Sequence, residues 1–339
     1  MPRTILEVKN LSKYFQRERN LFSVFNRRSD VIPAVDDVSF YLRENETMGL
    51  VGESGCGKTT VGRAILRLIK PNTGRVIFDG RDITDLTDRE LRPLRKDMQM
   101  IFQDLDAGLN PKMRVQDILK EAVTVYERPS DDEVRIKLHI LLDQVNLKYS
   151  KLSSYPSELS GGEKRRIGIA RMLAVGAKLI VADEPTSALD VSIQAQVVNL
   201  LRDLQTQLGL SYLFISHDLQ VVELMSHKVA VMYLGKIVEI GLTSRISDAA
   251  RHPYTYTLWT SLVEKQSHEA TQPIRLDRRR ASWGVYDFER PTRGCRFAPR
   301  CPVYESRGHP AECTDPDNEP KLRDVGEGHQ VACHFPLGG

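Results

Sequence analysis

The stretch GESGCGKTT, Gly52 to Thr60, decides the fold of this 339-residue chain. It fits the pattern G-x-x-x-x-G-K-[ST], and residues 46–51 before it read as a strand. Apolar residues at helical spacing follow it over residues 59–69, and Pro71 ends that pattern. This order of strand, glycine-rich loop and helix is typical of a phosphate-binding loop. The sequence therefore predicts a nucleotide site at this point.

All residues of the loop are candidates for nucleotide binding: Gly52, Glu53, Ser54, Gly55, Cys56, Gly57, Lys58, Thr59 and Thr60. The glycines let backbone N–H groups curl around phosphates, and the following helix adds its positive end. We expect Lys58 to reach the β- and γ-phosphates and the Thr59 hydroxyl to hold Mg²⁺. Cys56 is interpreted as a small packing side chain rather than a redox group.

A second motif, LIVADEPTSALD, runs from Leu179 to Asp190. Its apolar strand brings Asp183 to the carboxyl end of a sheet, where this carboxylate can bind the Mg²⁺ ion of the nucleotide. We expect the adjacent Glu184 to polarise the water that attacks the γ-phosphate in line. Together with the phosphate loop, this motif predicts nucleotide hydrolysis.

Composition excludes several other classes of protein. The chain is 41% hydrophobic and 27% charged, as ordinary globular proteins are. Its 48 basic and 45 acidic residues leave a net charge of +3, which gives no reason to expect a nucleic-acid groove. No apolar run approaches the ~18 residues of a membrane span, and no secretory signal opens the sequence. We therefore expect a cytosolic protein whose membrane work, if any, is done through a partner.

The pattern along the chain predicts an α/β fold with a largely parallel sheet. Short apolar runs alternate with helical stretches, and two of these, residues 134–145 and 163–173, have a period of 3.6. We predict an ATP-binding core in two parts, residues 1–85 and 176–245. Between them lies a helical subdomain at residues 86–175, and residues 246–339 form a C-terminal extension.

A third motif begins at Leu159 and reads LSGGEKRRIGIARML. Ser160, Gly161 and Gly162 at the start of a predicted helix repeat the logic of an anion site, with exposed N–H groups, a hydroxyl and a helix dipole. With these motifs in this order, followed by His217 in FISHD, residues 1–260 resemble the nucleotide-binding subunit of an ATP-binding cassette (ABC) transporter. The resemblance implies a P-loop NTPase (RecA-like) core with an inserted helical subdomain. It also implies that two subunits pair head to tail, each signature serine closing on the γ-phosphate held by the other.

The resemblance assigns further roles residue by residue. Gln103 looks like the glutamine that touches Mg²⁺ and the attacking water, and His217 like the histidine that contacts the γ-phosphate. Residues 187–190 resemble the loop that crosses to the partner subunit. Phe15 matches the aromatic residue that stacks on adenine, with Tyr14 as the alternative.

Glu163 departs from the family pattern, which usually has glutamine at this position. The signature contacts its ligand mainly through Ser160 and backbone N–H groups, so we expect hydrolysis to survive. The added carboxylate should repel phosphate, and the basic residues at 164–166 can offset that repulsion.

Finer resemblances narrow the type of transporter. QDLDAGLNPKMRV, residues 103–115, and HPYTYTL, residues 252–258, are similar to motifs of di- and oligopeptide importers. The insertion between Phe15 and Ala34 resembles the second of the two non-identical ATPases of such importers. This implies a second, non-identical ABC ATPase, two transmembrane permease subunits and, through them, an extracytoplasmic solute-binding protein, at the cytoplasmic face of the inner membrane.

Two alternatives to peptide import stay open. Nickel importers share these motifs, and the ATPase does not touch the transported solute. Soluble cassette ATPases without a permease usually carry two cassettes or a long coiled coil, and this chain has one cassette and no sustained heptads.

Four of the five cysteines, Cys295, Cys301, Cys313 and Cys333, fall in the last 45 residues. The segment resembles the C-terminal extension of peptide-importer ATPases, and the resemblance implies that these thiolates hold a [4Fe–4S] cluster with His334 as a neighbour. No C-x₂₋₄-C pair is present, which weakens zinc as the alternative. Free thiols or disulfides are the remaining possibility. We expect a structural role for the metal, because a turn-rich segment has little core of its own.

Overall fold

The computed structural model describes residues 3–16, 31–103, 108–187, 189–266 and 294–338, with the backbone alone for residues 261–266. The strands are β1 (Thr4–Gln16), β2 (Val31–Arg43), β3 (Thr47–Val51), β4 (Thr73–Phe78), β5 (Arg81–Asp82), β6 (Met98–Ile101), β7 (Leu179–Asp183), β8 (Ser211–Ser216), β9 (Lys228–Tyr233), β10 (Lys236–Leu242), β11 (Arg323–Asp324) and β12 (Gln330–Val331). The α-helices are α1 (Lys58–Ile65), α2 (Asp88–Leu91), α3 (Val115–Thr124), α4 (Asp131–Gln144), α5 (Gly161–Leu173), α6 (Val191–Leu208), α7 (Leu219–Met225), α8 (Thr243–Asp248), α9 (Pro253–Gln266) and α10 (Pro302–Ser306).

The larger sheet has the order β11-β12-β10-β9-β3-β8-β7-β6. Its centre is parallel, because β3 pairs in parallel with both β8 and β9, and β7 pairs in parallel with β8 and β6. Strands β3, β7 and β8 are buried along their whole length, as expected for a parallel sheet covered on both faces. The predicted α/β class with a largely parallel sheet is confirmed.

A second sheet, of order β2-β1-β4-β5, is antiparallel. Alternate residues of β2 are buried, among them Val38, Phe40 and Leu42, and they share a core with Ile5 of β1 and Ile65 of α1. One face of this sheet therefore covers the helix that follows the phosphate loop. Residues 35–41, within β2, alternate apolar and polar side chains, which predicts a strand but does not separate the second sheet from the first.

The predicted helix over residues 59–69 is shorter than expected. Helix α1 ends at Ile65, and Arg67 takes a positive φ of 53°, which a continuing helix does not allow. The predicted helices at 134–145 and 163–173 correspond to α4 and α5. Each begins at a serine whose side chain and a glutamate three residues later cap each other's backbone N–H groups. The predicted domain boundaries stay predictions.

No helix in the ranges that the structure describes is both long and apolar enough to cross a membrane.

The C-terminal residues dock on the larger sheet around one buried carboxylate. Glu239 of β10 has no exposed surface and accepts hydrogen bonds from the backbone N–H groups of Arg251 (2.7 Å) and His252 (2.9 Å). His329 places its Nε2 atom 2.6 Å from the same carboxylate, next to β12, which pairs with β10. Glu239 was not predicted as a buried residue, because nothing in its sequence neighbourhood marks it as buried.

We expect Glu239→Ala to lower the free energy of unfolding by about 3 kcal/mol, because the N–H groups of Arg251 and His252 and the His329 ring lose their acceptor. Glu239→Gln keeps one acceptor oxygen, so its free energy of unfolding should fall by less. Urea denaturation measures both, with the exposed Glu312→Ala as the control. Equal midpoints for Glu239→Ala and the control would contradict this role.

Candidate active site

The phosphate loop is held tightly between two strands. Gly57 immediately precedes α1 with a φ of 109°, and a Cβ atom there would lie 2.0 Å from the carbonyl oxygen of Ala34 in β2. A Cβ on Gly52, whose φ is 151°, would lie 2.1 Å from the carbonyl oxygen of Met232 in β9. Only glycine fits at these two positions, because any side chain would collide with the neighbouring strand. The loop is therefore packed closely against β2 and β9.

Lys58 lies inside the curve of the loop. Its Nζ atom donates to the carbonyl oxygens of Gly52 (2.8 Å) and Glu53 (3.0 Å), and only 5% of the residue is exposed. An ammonium group bonded to neutral carbonyls can exchange them for phosphate oxygens, which are stronger acceptors. Cys56 packs beside it, and burial raises the pKa of its thiol.

Asp183 and Thr59 come together as the sequence predicts for a magnesium site. Thr59 Oγ1 donates to Asp183 Oδ1 at 2.9 Å, at the carboxyl end of β7. Burial raises the pKa of Asp183, although the Thr59 hydrogen bond acts in the opposite direction. A hydroxyl and a carboxylate oxygen are ligands that Mg²⁺ accepts, and a cation here would offset the burial of the carboxylate. These residues therefore fit Mg²⁺.

Glu184 brings the predicted catalytic residues together. Its carboxylate accepts a hydrogen bond from Gln103 Nε2 at 3.4 Å and lies 3.3 Å from His217 Nδ1. The backbone of Glu184 has a φ of 49°, and its N–H donates to Ile215 at 2.9 Å. A left-handed non-glycine residue is strained, and such strain collects at functional sites.

Phe15, the predicted adenine-stacking residue, lies in β1, and the Lys13 ammonium is 5.3 Å from the centroid of its ring. Phe15 pairs with Ile32 in β2, two residues from the Ala34 carbonyl that abuts Gly57. Phe15 is 43% exposed. The alternative, Tyr14, is partly buried and donates its hydroxyl hydrogen to Asp36 at 3.5 Å.

The signature motif opens onto solvent at the first turn of α5. Ser160 and Gly161 are exposed, and no atom lies within 4 Å of a Cβ built on Gly161. Glu163 accepts the Ser160 N–H at 2.9 Å and pairs with Lys151 at 2.8 Å. Lys151 lowers the pKa of Glu163, so the carboxylate is charged but neutralised by a near cation. The unusual glutamate thus caps the signature helix.

We expect Glu163→Gln to change ATP turnover less than about threefold, because glutamine can form the same capping box. Glu163→Ala, which removes the cap, should lose about 1 kcal/mol of stability. Turnover and thermal unfolding of the two variants measure this difference. A large loss of turnover in Glu163→Gln would show that the charge itself is needed.

The loop at residues 187–190 leads into α6. Asp190 caps this helix by accepting the Ile193 N–H at 2.9 Å, and Val191 is 83% exposed. Arg165 of α5 donates to the Pro185 carbonyl at 2.9 Å, which ties the signature helix to the segment that precedes this loop. Ala188 lies outside the described residues.

The four C-terminal cysteines line one pocket together with His334. The five cysteines of the chain are free thiols, and the Cys295 N–H donates to the Cys313 carbonyl at 2.9 Å. Burial raises the pKa of Cys295 to about 11 and that of Cys333 to about 12. Among the described residues, however, no three metal-ligating side chains are arranged to hold an ion. The metal centre is not confirmed and stays a prediction.

Two contacts of the phosphate loop do not follow from the sequence motifs. The Glu53 N–H donates to the Tyr254 hydroxyl at 3.0 Å, and the Glu53 carboxylate pairs with Arg300. Tyr254 had a signal as part of the HPYTYTL motif. Arg300 had none beyond its position next to Cys301.

Comparisons with known proteins agree with this geometry. Residues 35–187 match the family described as ABC transporter, and residues 238–307 match the C-terminal region of oligopeptide/dipeptide transporters. The oligopeptide transport ATP-binding protein AppF of Bacillus subtilis (strain 168) is 42% identical over 333 residues, which cover 98% of this chain and 97% of that protein. OppF, an oligopeptide transport ATP-binding protein of Streptococcus mutans, is 48% identical over 261 residues, covering 77% of this chain and 82% of OppF.

A solved structure shares the fold. The ATP-binding cassette MJ0796, described as a dimer in a post-hydrolysis state with bound ADP and Pi, is 27% identical with a TM-score of 0.61. The match covers 70% of this chain and 99% of that one.

Proposed function

Because this chain belongs to the ABC transporter ATP-binding proteins of the oligopeptide-transport type, we propose that its hydrolysis of ATP powers the import of di- and oligopeptides through a membrane permease. The observation that carries the proposal is the convergence of Gln103, Glu184 and His217 beside a phosphate loop. A nucleotide-binding loop alone would fit many proteins. A carboxylate oriented by two polar side chains fits hydrolysis.

The loop residues 52–60 are proposed to bind the phosphates through backbone N–H groups, with Lys58 on the β- and γ-phosphates and Phe15 on adenine. Thr59, Asp183 and Gln103 are proposed to hold Mg²⁺. When bound, this ion neutralises charge on the phosphate oxygens.

Glu184 is proposed to orient and polarise the attacking water, and His217 to contact the γ-phosphate. The carboxylate is suited to this work because Gln103, after β6, and His217, after β8, both contact it and fix its direction. Glu184 directly follows β7, and its positive φ turns the backbone away from the direction of that strand.

We further propose that a complete site needs a second, non-identical ABC ATPase. Ser160, Gly161 and Gly162 present an open helix N-terminus, which suits a γ-phosphate that another subunit holds. Two permease subunits and, through them, an extracytoplasmic solute-binding protein complete the assembly. The chain would then lie at the cytoplasmic face of the inner membrane.

The four cysteines are proposed to hold a [4Fe–4S] cluster. In support, the four cysteines line one shared pocket. Zinc needs its four ligands about 2.3 Å from a single ion, and no three metal-ligating side chains among the described residues are arranged to hold one. A cluster spreads its four thiolates over four iron atoms. Cationic iron would also lower the raised pKa values of these thiols and leave them as thiolates.

We expect protein purified without oxygen to be brown and to contain iron and acid-labile sulfide. Metal analysis and the absorbance near ~400 nm, typical of thiolate-bound iron, measure this. One zinc ion per chain would identify the site as a zinc site instead. Four titratable thiols without metal would exclude both the cluster and zinc.

Reconstitution tests the transport function. The chain, its partner ATPase and the permease are placed in vesicles with the solute-binding protein, and uptake of labelled peptide is followed with and without ATP. We expect uptake that depends on ATP and stops in Lys58→Ala. Uptake of nickel in place of peptide would favour the nickel importers, and ATP hydrolysis that no permease alters would contradict the transport role.

A further inference from the structure

The segment Cys295–Cys301, CRFAPRC, carries one arginine beside each of its two cysteines. It opens the Cys-rich extension, by which we mean residues 294–338. Neither arginine lines the pocket of thiols, and both contact residues of the ATP-binding core. The contacts of these arginines with the core are not needed to bind a metal, so they call for a separate explanation.

Arg300 grips the phosphate loop directly. Its two terminal nitrogens lie 3.0 and 2.9 Å from the two carboxylate oxygens of Glu53, the second residue of the loop. This is the bidentate geometry in which a guanidinium binds a carboxylate most strongly. The same guanidinium lies over the ring of Tyr233, 5.8 Å from its centroid. Arg300 is therefore oriented from two sides.

Arg296 contacts a turn that is itself hydrogen-bonded to the phosphate loop. It donates to the Leu234 carbonyl at 2.5 Å and pairs with Asp36 of β2. Leu234 belongs to the turn between β9 and β10 and has a positive φ of 43°. In the same turn, the Gly235 N–H donates to the Cys56 carbonyl at 2.9 Å. The turn that Arg296 holds thus holds the loop.

An aromatic cluster joins these contacts. Phe297, between the two arginines, packs on Tyr233 and Tyr254 with ring centroids 5.3 and 5.4 Å apart. The Tyr254 hydroxyl accepts the Glu53 N–H. Both the backbone and the side chain of Glu53 are therefore fixed by residues outside the loop. A loop with three glycines has many conformations open to it, and restricting them beforehand reduces the entropy lost when a ligand binds.

We propose that Arg300 is a positioning residue for ATP: by holding Glu53, it keeps the phosphate loop in its binding conformation before the nucleotide arrives. The Cys-rich extension thereby sets the affinity of the core for ATP. Arg300 also neutralises a carboxylate that would otherwise stand unpaired near the phosphates. The inference rests on the proposed ATPase function, and it concerns affinity rather than the chemical step.

The test compares Arg300→Ala, Arg300→Lys, Glu53→Ala and the double variant in the assembled complex. We expect Arg300→Ala to raise the KM for ATP about tenfold, the scale of a lost charged hydrogen-bond pair, with kcat changed less than twofold. Arg300→Lys keeps the charge without the fork and should fall between. The double variant should be no weaker in ATP binding than the weaker single variant, because both changes break one pair.

Arg245→Ala is the matched control. Arg245 pairs with Glu327, so this variant also removes an ion pair between the core and the Cys-rich extension, at a place away from the phosphate loop. We expect its KM for ATP to stay at the wild-type value. A tenfold rise in this control would mean that loosening the extension anywhere lowers affinity, and the specific role of Arg300 would be wrong.

Amide hydrogen exchange of residues 52–60 without nucleotide separates this inference from the proposed function. We expect faster exchange in Arg300→Ala and Glu53→Ala than in the wild type and in Arg245→Ala. If the wild type did not hydrolyse ATP, the proposed function would fail while the exchange still reported on the loop. If Arg300→Ala did not assemble, Glu53→Ala would break the same pair from the other side. An unchanged KM and unchanged exchange in Glu53→Ala would overturn the proposal.

Discussion

Glu184→Gln is expected to leave ATP binding intact and to reduce turnover by about 10²-fold or more, the scale of a lost general base. Glutamine has nearly the same shape, so the backbone at its positive φ and the contacts of Gln103 and His217 are least disturbed. What it loses is the negative charge that polarises water. ATP affinity and steady-state hydrolysis of the assembled complex measure the two effects separately.

The control for this variant is Glu90→Gln. Glu90 is an exposed carboxylate that caps α2 through Thr87, and its change to glutamine keeps the cap. We expect wild-type turnover. Turnover near wild type in Glu184→Gln would remove Glu184 from the role of the polarising base and leave His217 as the next residue to test.

The sequence predicts those parts of the site whose residues stand in short motifs. Lys58, Thr59, Asp183 and Glu184 sit in short motifs, and the order of strand, loop and helix follows from local periodicity. Parallel strands bring the carboxyl ends of β3, β7 and β8 to one edge, so residues far apart in the chain meet there. That meeting could be predicted from the fold class alone.

The contacts that the sequence does not predict are long-range and lie between irregular segments. Glu53 and Arg300 are 247 residues apart, and neither stands in a pattern that announces the other. Glu239 looks like an ordinary polar residue of a strand, and its burial is tolerable because the N–H groups of Arg251 and His252 and the ring of His329 bind its carboxylate. The same holds for the second sheet, whose pairing of β1 with β4 depends on tertiary packing rather than on the pattern of either strand.

A second large effect on the rate of ATP hydrolysis is expected when the partner ATPase is added to the isolated chain. If each site is completed by a facing signature motif, the isolated chain should hydrolyse ATP poorly, and addition of the partner ATPase should raise the rate per site about 10-fold or more, since only then are the γ-phosphate contacts formed. Because Glu184 and His217 are both present, we expect the phosphate-loop site of this chain to be competent in hydrolysis. Full activity from strictly monomeric protein, linear in concentration, would contradict the composite site.

Ser160→Arg makes this prediction specific to the signature. A long cation at the start of α5 blocks the open helix N-terminus, and we expect it to abolish hydrolysis at the phosphate loop of the facing subunit while ATP binding to its own loop persists. Ser130→Arg is a closely matched control, because Ser130 caps α4 through the same exchange of hydrogen bonds with a glutamate three residues later. Both variants lose a helix cap of about 1 kcal/mol, but only one faces the proposed partner. Equal losses of turnover in the two variants would assign the effect to the cap, and a loss confined to Ser160→Arg would assign it to a γ-phosphate contact made across the subunit interface.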